Sequence, residues 1–326
     1  MSNTNILGIG NALVDILVLP DDDKIINELN LPKGGMTLVD QELSATIQQK
    51  LFNLKTKIAT GGSVANAING IARLDVLSGY IGAIGKDELG QLFRNEMLSN
   101  GITTLLKETE LPTGRAVGFV SPGGERTFAT YLGAAVDMEA NDITPKLFDG
   151  FDLFFIEGYL VFNPSLIMAA ASLAKSLGLK IALDLASYNV VEANLDILNE
   201  LVDHYIDIIF ANEEEAKSFT GLKPEGALLN LATRCDIAVV KVGKDGAFVQ
   251  QGTQKFHVPA IGNEVVDTTG AGDYFAAGFL AGLAKGYELE KCGKLGSLLA
   301  SKVIKVIGAE LSSEDWVEIK EQEKLL

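Results

Sequence analysis

Between residues 151 and 242, short apolar runs alternate with longer helix-like segments, and this alternation restricts the fold more than any other feature. Strand-like runs fall at residues 151–156, 180–183, 206–210 and 237–242. Helix-like segments at 165–177, 192–202 and 213–219, with a weaker one near 227–233, separate them. Strands joined through helices run parallel, with helices on both faces of the sheet. Ligands of such sheets gather at the carboxyl ends of the strands. A polar residue stands at each of those ends. Glu157 follows Phe155-Ile156, Asp184 follows Leu183, Asn212 and Glu215 follow Phe210-Ala211, and Lys241 and Gly243 follow Val240. Any one of them reads equally as a cap or a solvated loop residue, whereas together they point to a shared site.

The first half is less regular. Residues 5–10 read as a buried strand, and a second apolar segment, 12–19, contains Asp15. A buried acid needs a partner, so Asp15 reads either as an acceptor for substrate hydroxyls or as a strand residue facing water. Residues 20–40 are turn-rich and poorly apolar. Near 111–131, two strand-like runs, 116–120 and 126–131, flank Ser121-Pro122-Gly123-Gly124, a hairpin signal. Both excursions are expected to form a small β lid, from about 12–40 and 111–133, on one 326-residue domain. The closing helices, 289–307 and 313–324, have amphipathic spacing and are expected to pack outside, with Gly308 ending the first of them.

Two glycine turns each open into a helix. One is Thr60-Gly61-Gly62-Ser63-Val64-Ala65-Asn66-Ala67; Ser63 there reads as a helix cap, and Asn66 adds a donor and an acceptor. The other is Asp267-Thr268-Thr269-Gly270-Ala271-Gly272-Asp273, ahead of an apolar helix. Free N–H groups at a helix start attract anions. A carboxylate beside them can take a proton, so phosphoryl transfer to a hydroxyl is one reading, and a capped glycine turn is the other. Other phosphate-loop patterns fail. The Gly-Lys pairs at Gly85, Gly243 and Gly293 lead to Asp87, Asp245 and Leu295, where a Walker loop needs Ser or Thr. The dinucleotide fingerprint breaks at Leu13 and at Phe275. A serine-hydrolase elbow breaks at Ala65, and neither His204 nor His257 sits in a motif.

A net charge of −16 argues against general nucleic-acid binding. Two cysteines, Cys235 and Cys292, are too few for a disulfide framework or a zinc site. No apolar run reaches membrane-spanning length, and the first residues carry no basic leader, so a cytoplasmic protein without a membrane partner is expected. Monomer and homodimer both remain open.

Two motifs, Gly61-Gly62-Ser63-Val64-Ala65-Asn66-Ala67 and Asp267-Thr-Thr-Gly-Ala-Gly-Asp273, resemble those of the ribokinase-like (PfkB) carbohydrate and nucleoside kinases. Gly10-Asn11-Ala-Leu-Val-Asp15, Asn212-Glu-Glu-Glu215 and Lys241-Val-Gly243-x-x-Gly246 support the likeness, which covers essentially the whole chain. It implies a Rossmann-like αβα sandwich with a mainly parallel central sheet and a β-sheet lid, using ATP and Mg²⁺. By resemblance Asp273 is the general base, and Gly270, Ala271 and Gly272 offer an anion hole. Asp15, Gly61, Gly62 and Asn66 bind sugar hydroxyls, with Asn11 and the lid residue Arg126 in the same substrate set. Asn212 and Glu215 organise Mg²⁺ and the ATP phosphates, Glu215 indirectly, while Lys241, Gly243, Gly246 and Thr268 lie along the nucleotide. Many members hold a monovalent cation, so K⁺ is expected near Asp267 and Thr269, with carbonyls around Val303, Val306 and Gly308.

Within that family the chain is most similar to bacterial adenosine-kinase-like proteins, through residues 126–135, Ile156-Glu-Gly-Tyr-Leu160 and 210–215. Tyr131-Leu132 departs from the Tyr-Arg of ketodeoxygluconate kinases. The resemblance thus implies phosphorylation of a 5′-OH-type hydroxymethyl group, on adenosine first. A ribokinase- or fructokinase-like sugar kinase is the alternative, and a non-catalytic sensor the second. Phe128, Tyr131, Tyr159 and Phe162 are candidate base-stacking residues, each also readable as ordinary packing.

Overall fold

A computed structural model describes residues 4–33, 35–52, 54–121, 126–262 and 264–326. A nine-stranded sheet runs edge to edge as Gln254–Val258, Ala247–Gln251, Ile237–Lys241, Ile208–Asn212, Lys180–Asp184, Leu153–Glu157, Ile6–Ile9, Ser78–Gly85 and Thr103–Thr109. Every pairing from Ile237–Lys241 to Thr103–Thr109 is parallel, and the two strands beyond Ile237–Lys241 are antiparallel. The runs are continuously apolar because both faces are covered. Phe154 belongs to the apolar cluster on one side, and its neighbour Phe155 to the cluster on the other. The fold is the expected α/β one, with a large, mostly parallel sheet and a second small one.

The small sheet has five strands, ordered Met36–Leu38, Arg126–Tyr131, Gly114–Val120, Leu13–Val18 and Thr56–Gly61. Four come from the two excursions, and Thr56–Gly61 is an unexpected edge strand. The turn read at Ser121-Pro122-Gly123-Gly124 falls largely on residues 122–125, outside the described residues; the flanking strands pair antiparallel, Val120 opposite Arg126.

Local differences from expectation have local causes. The helix expected at 192–202 is two, Tyr188–Ala193 and Leu195–His204. Asn194 divides them, its side-chain amide bonding the Val190 carbonyl at 2.9 Å in competition with the helix ladder. The strand Ser78–Gly85 is wholly buried but carries Gly79, Gly82 and Gly85, which dilute its strand signal. The helix Leu289–Val303 does not lie outside. It is mostly buried against the helix Ala271–Ala284, with glycine facing backbone: a Cβ on Gly278 would stand 2.6 Å from the Leu295 carbonyl oxygen. Gly308 lies beyond that helix rather than capping it. Among the described residues, no helix is long and apolar enough to cross a membrane.

Candidate active site

Four neighbouring parallel strands end on a polar residue: Glu157, Asp184, Asn212 and Lys241. Register sets Asp184 beside Glu157 and Asn212 beside Lys241, so strand pairing alone makes one polar edge. Lys241 Nζ lies 2.8 Å from Asp184 Oδ2. Burial works to lower the pKa of this ammonium, but Asp184 and Glu215 outweigh it and the net shift is upward. Asn212 caps the helix Glu213–Thr220, and the cap is reciprocal. Its Oδ1 accepts from the Glu214 and Glu215 N–H groups, while Asn212 N and Nδ2 donate to the Glu215 carboxylate at 2.7 and 2.6 Å. Burial, and then Asp184, push Glu215 up to about 7.

The helix Ala271–Ala284 starts opposite this edge. Gly270 takes the left-handed conformation, φ 76°, which reverses the chain into the helix. The Ala271 N–H turns back to the Thr268 carbonyl, whereas those of Gly270, Gly272 and Asp273 find no partner among the described residues. A Cβ on Gly272 would stand 3.0 Å from Lys241 Nζ, so a partly buried cation adjoins the free N–H groups. Asp273 occupies the first helical turn. Ser63 Oγ donates to its Oδ1 at 2.7 Å and Asn66 Nδ2 to its Oδ2 at 2.9 Å. Burial raises its pKa to about 6, the Asn66 and Ser63 donors opposing that rise.

The first glycine turn meets the second here. Gly62, φ 98°, precedes the helix Ser63–Arg73, and Ser63, read from sequence as a cap, instead spends its hydroxyl on Asp273. Gly61 makes room for Asp15: a Cβ there would lie 2.2 Å from Asp15 Oδ1. Burial, and then the Asp273 charge, raise Asp15 to about 7. Its carboxylate accepts no hydrogen bond among the described residues. Glu157 accepts Asn11 N and Nδ2 at 3.3 and 2.7 Å and Val64 N at 3.3 Å. Burial drives Glu157 up to about 7 against those three donors.

Arg126 crosses from the small sheet to the second glycine turn. It pairs with Asp267 and donates to Thr269 Oγ1 at 2.5 Å. The Asp267 oxygens also accept the N–H groups of Thr269, at 2.8 Å, and of Gly308, at 2.6 Å. Gly243 and Gly246 shape the turn after Lys241, and Thr268 is exposed, joined to the second glycine turn by its carbonyl, which accepts the Ala271 N–H. Burial raises the Tyr159 hydroxyl to about 12; a hydrogen bond with Ser187 opposes the rise, and the charges of Glu157, Glu215 and Asp273 add to it. Tyr131 is buried under the Arg115 guanidinium, and Phe162 is 53% exposed.

A polar cleft of about 630 Å³ is lined by Asn66 together with Asn69, Arg73, Glu96 and Tyr274. It does not contain Asp15, Asp273 or Lys241. The polar edge and the free N–H turn, not this cleft, bring the reactive groups together.

The donor set suits a nucleotide phosphate and a hard cation: free N–H groups, one lysine, and the carboxylates of Asp184 and Glu215. No cluster of three or more metal-ligating side chains forms among the described residues, so Mg²⁺ here would draw on phosphate oxygens and water. Sequence reading missed the ties between these parts, namely Ser63 to Asp273, Glu157 to Asn11, and Arg126 to Asp267. Only the appearance of Ser63 and Glu157 next to motif residues could have signalled the first two.

Residues 38–316 match the family described as pfkB family carbohydrate kinase. A probable sugar kinase protein from Rhizobium etli shares 33% identity over 100% of both chains, with a TM-score of 0.90. Adenosine kinase from Sinorhizobium meliloti shares 32% identity over 98% of this chain and 99% of its own, with a TM-score of 0.88. Among curated proteins, the adenosine kinase of Saccharomyces cerevisiae is 28% identical, over 91% of this chain and 90% of its own.

Proposed function

The chain belongs to the pfkB family of carbohydrate kinases, phosphotransferases with an alcohol acceptor, and on that premise we propose that it is an ATP-dependent nucleoside kinase acting first on adenosine. The observation that carries the chemistry is Asp273. Two neutral donors orient its carboxylate, and it stands on the first turn of a helix where the N–H groups of Gly272 and Asp273 have no partner among the described residues.

In this reading Asp273 takes the proton of the substrate's hydroxymethyl oxygen. That oxygen attacks the γ-phosphorus of ATP, the bond to the β-phosphate oxygen breaks, and ADP leaves. The N–H groups of Gly270, Gly272 and Asp273, with Lys241, meet the charge on the phosphoryl oxygens. Ala271 contributes by setting the turn, because its own N–H is taken up by Thr268. Mg²⁺ would supply charge neutralisation between the phosphates, near the Asp184 and Glu215 carboxylates. Asn11, Asp15, Gly61, Gly62 and Asn66 hold the sugar, and Tyr159 is the aromatic residue placed to meet a base. The small sheet acts as the lid of a single domain, and Arg126 leaves Asp267 for the phosphates when ATP binds. K⁺ binding beside the turn would rely on backbone carbonyls near Val303, Val306 and Gly308, with Asp267 and Thr269 joining once Arg126 has left them.

Adenosine is supported by the relatives named adenosine kinase. A sugar substrate is supported by the R. etli relative, named a probable sugar kinase. An ADP-release assay with adenosine and then a panel of neutral sugars separates them. Turnover of adenosine is expected; faster turnover of a sugar would replace adenosine in the proposal. Saturable binding without ADP release across the panel would leave a sensor.

A further inference from the structure

Glu157 has no role in the chemistry above, yet it ties the two halves of the substrate side together. Its Oε1 accepts both the backbone N–H and the side-chain Nδ2 of Asn11, and its Oε2 accepts the Val64 N–H at the start of the helix Ser63–Arg73. The side chain is 2% exposed and packs directly under Gly10, where a Cβ would stand 2.4 Å from Oε2. Backbone N–H groups cannot reverse. Each therefore fixes its carboxylate oxygen as an acceptor, and the Asn11 amide must turn its NH₂ to that oxygen. The other end of the amide then has a defined direction. Asn11 Oδ1 makes no hydrogen bond among the described residues, and it is not one of the enclosed unpartnered atoms. Asn11 itself lies against the first glycine turn, its carbonyl oxygen 2.3 Å from where a Cβ on Gly62 would be.

We infer that Glu157 is a positioning residue that locks the Asn11 amide with Oδ1 toward the acceptor substrate, so that position 11 selects a hydrogen-bond donor there. Along the glycine turn that Asn11 touches at Gly62, Gly61 packs on the unpaired Asp15 carboxylate and Ser63 donates to Asp273. The substrate side is thus a row of acceptors, suited to a neutral hydroxylated or amino-bearing molecule and hostile to a sugar acid or sugar phosphate. This deepens the kinase reading and rests on it for the identity of the substrate, but not for the lock itself.

The lock is tested without substrate. In protein labelled with ¹⁵N at asparagine and assigned through Asn11→Asp, one Asn11 Nδ2 proton should be shifted downfield and slow to exchange. In Glu157→Ala it should return to free-amide values. A free-amide signal in the unmutated protein overturns the inference, whether or not Glu157→Ala folds. Selectivity is then read by calorimetric titration with adenosine and with analogues that each lack one donor: 2′-deoxyadenosine, 3′-deoxyadenosine and purine riboside. One analogue should bind the unmutated protein about fivefold or more weakly than adenosine, the share of one hydrogen bond to a neutral acceptor. In Glu157→Ala that ratio should fall below about twofold, the other ratios staying as they were. An unchanged ratio would reduce Glu157 to a structural role. If the amide is locked and none of the nucleosides binds, the inference stands and the nucleoside reading falls.

Discussion

The two glycine turns look alike in sequence and end in opposite states. Each presents glycines and then an apolar helix, so each offers free N–H groups at a positive helix end. At the helix Ser63–Arg73 the protein brings its own acids to that end. Glu157 takes the Val64 N–H, and Asp273 takes the Ser63 hydroxyl and the Asn66 amide. At the helix Ala271–Ala284 no acid among the described residues accepts from the first turn, and Lys241 adds a cation beside it. The filled end holds a rigid wall for the substrate. The open end keeps its donors for an anion from outside. Position in the fold, not composition, separates them: the first turn faces the carboxyl end of the strand Leu153–Glu157, and the second faces that of Ile237–Lys241.

The largest expected effect breaks the link between the turns. Asp273→Asn keeps the shape and removes the base, and kcat should drop by about 10²–10⁴ with the unfolding transition little changed. Near-normal turnover would end the assignment. Next is Gly62→Ala. The left-handed φ of 98° and a Cβ 2.3 Å from the Asn11 carbonyl oxygen should together cost about 2–4 kcal/mol of stability, measured by denaturant titration. Gly272→Ala should do the reverse. Its φ is helical and its new Cβ meets only the tip of Lys241, so stability should hold or rise by about 0.5–1 kcal/mol while kcat/KM for ATP falls about tenfold. If both alanines acted alike, the contrast between a filled and an open helix end would fail.

The smallest effects are in pH. Asp273 must be ionised to accept a proton, so kcat/KM should fall about tenfold per unit below pH 6, the region of its raised pKa. Asp15, Glu157 and Glu215 are raised to about 7 in the folded protein, against about 4 in an unfolded chain. The folded state then holds protons more tightly. Stability should be greatest below pH 4–5 as far as these groups decide it, and it should decline as pH rises toward 7. Thermal unfolding should therefore show a Tm several degrees higher at pH 5.5 than at pH 8. A Tm that rises over that interval would mean these carboxylates are not the dominant linked groups.

Much of this was legible beforehand. Period and strand length revealed the parallel sheet after residue 150, because a strand buried on both faces must be apolar throughout. The two glycine motifs and the polar strand ends marked the region of the site. The glycine-rich strand Ser78–Gly85 stayed hidden, since its burial comes from neighbours distant in sequence, and so did the half-exposed edge strand Thr56–Gly61, since only its pairing with Leu13–Val18 makes it a strand. So did the buried position of the helix Leu289–Val303. Its amphipathic spacing promised one packed face, and it became a core helix only because glycines on Ala271–Ala284 let the two backbones approach.

The order of residues along the chain sets the class of fold, the turns that free backbone N–H groups, and the residue types fit for moving a phosphoryl group. Those are local properties, set by side-chain volume, φ preference and polarity along a few residues. Only the tertiary structure decided which acid serves which helix end. Glu157 and Val64, Asp273 and Ser63, and Arg126 and Asp267 are each separated by more than ninety residues. Hydrogen bonds reach about 3 Å, so no pattern along the chain can assign them until the sheet has brought their strands and helices to one edge.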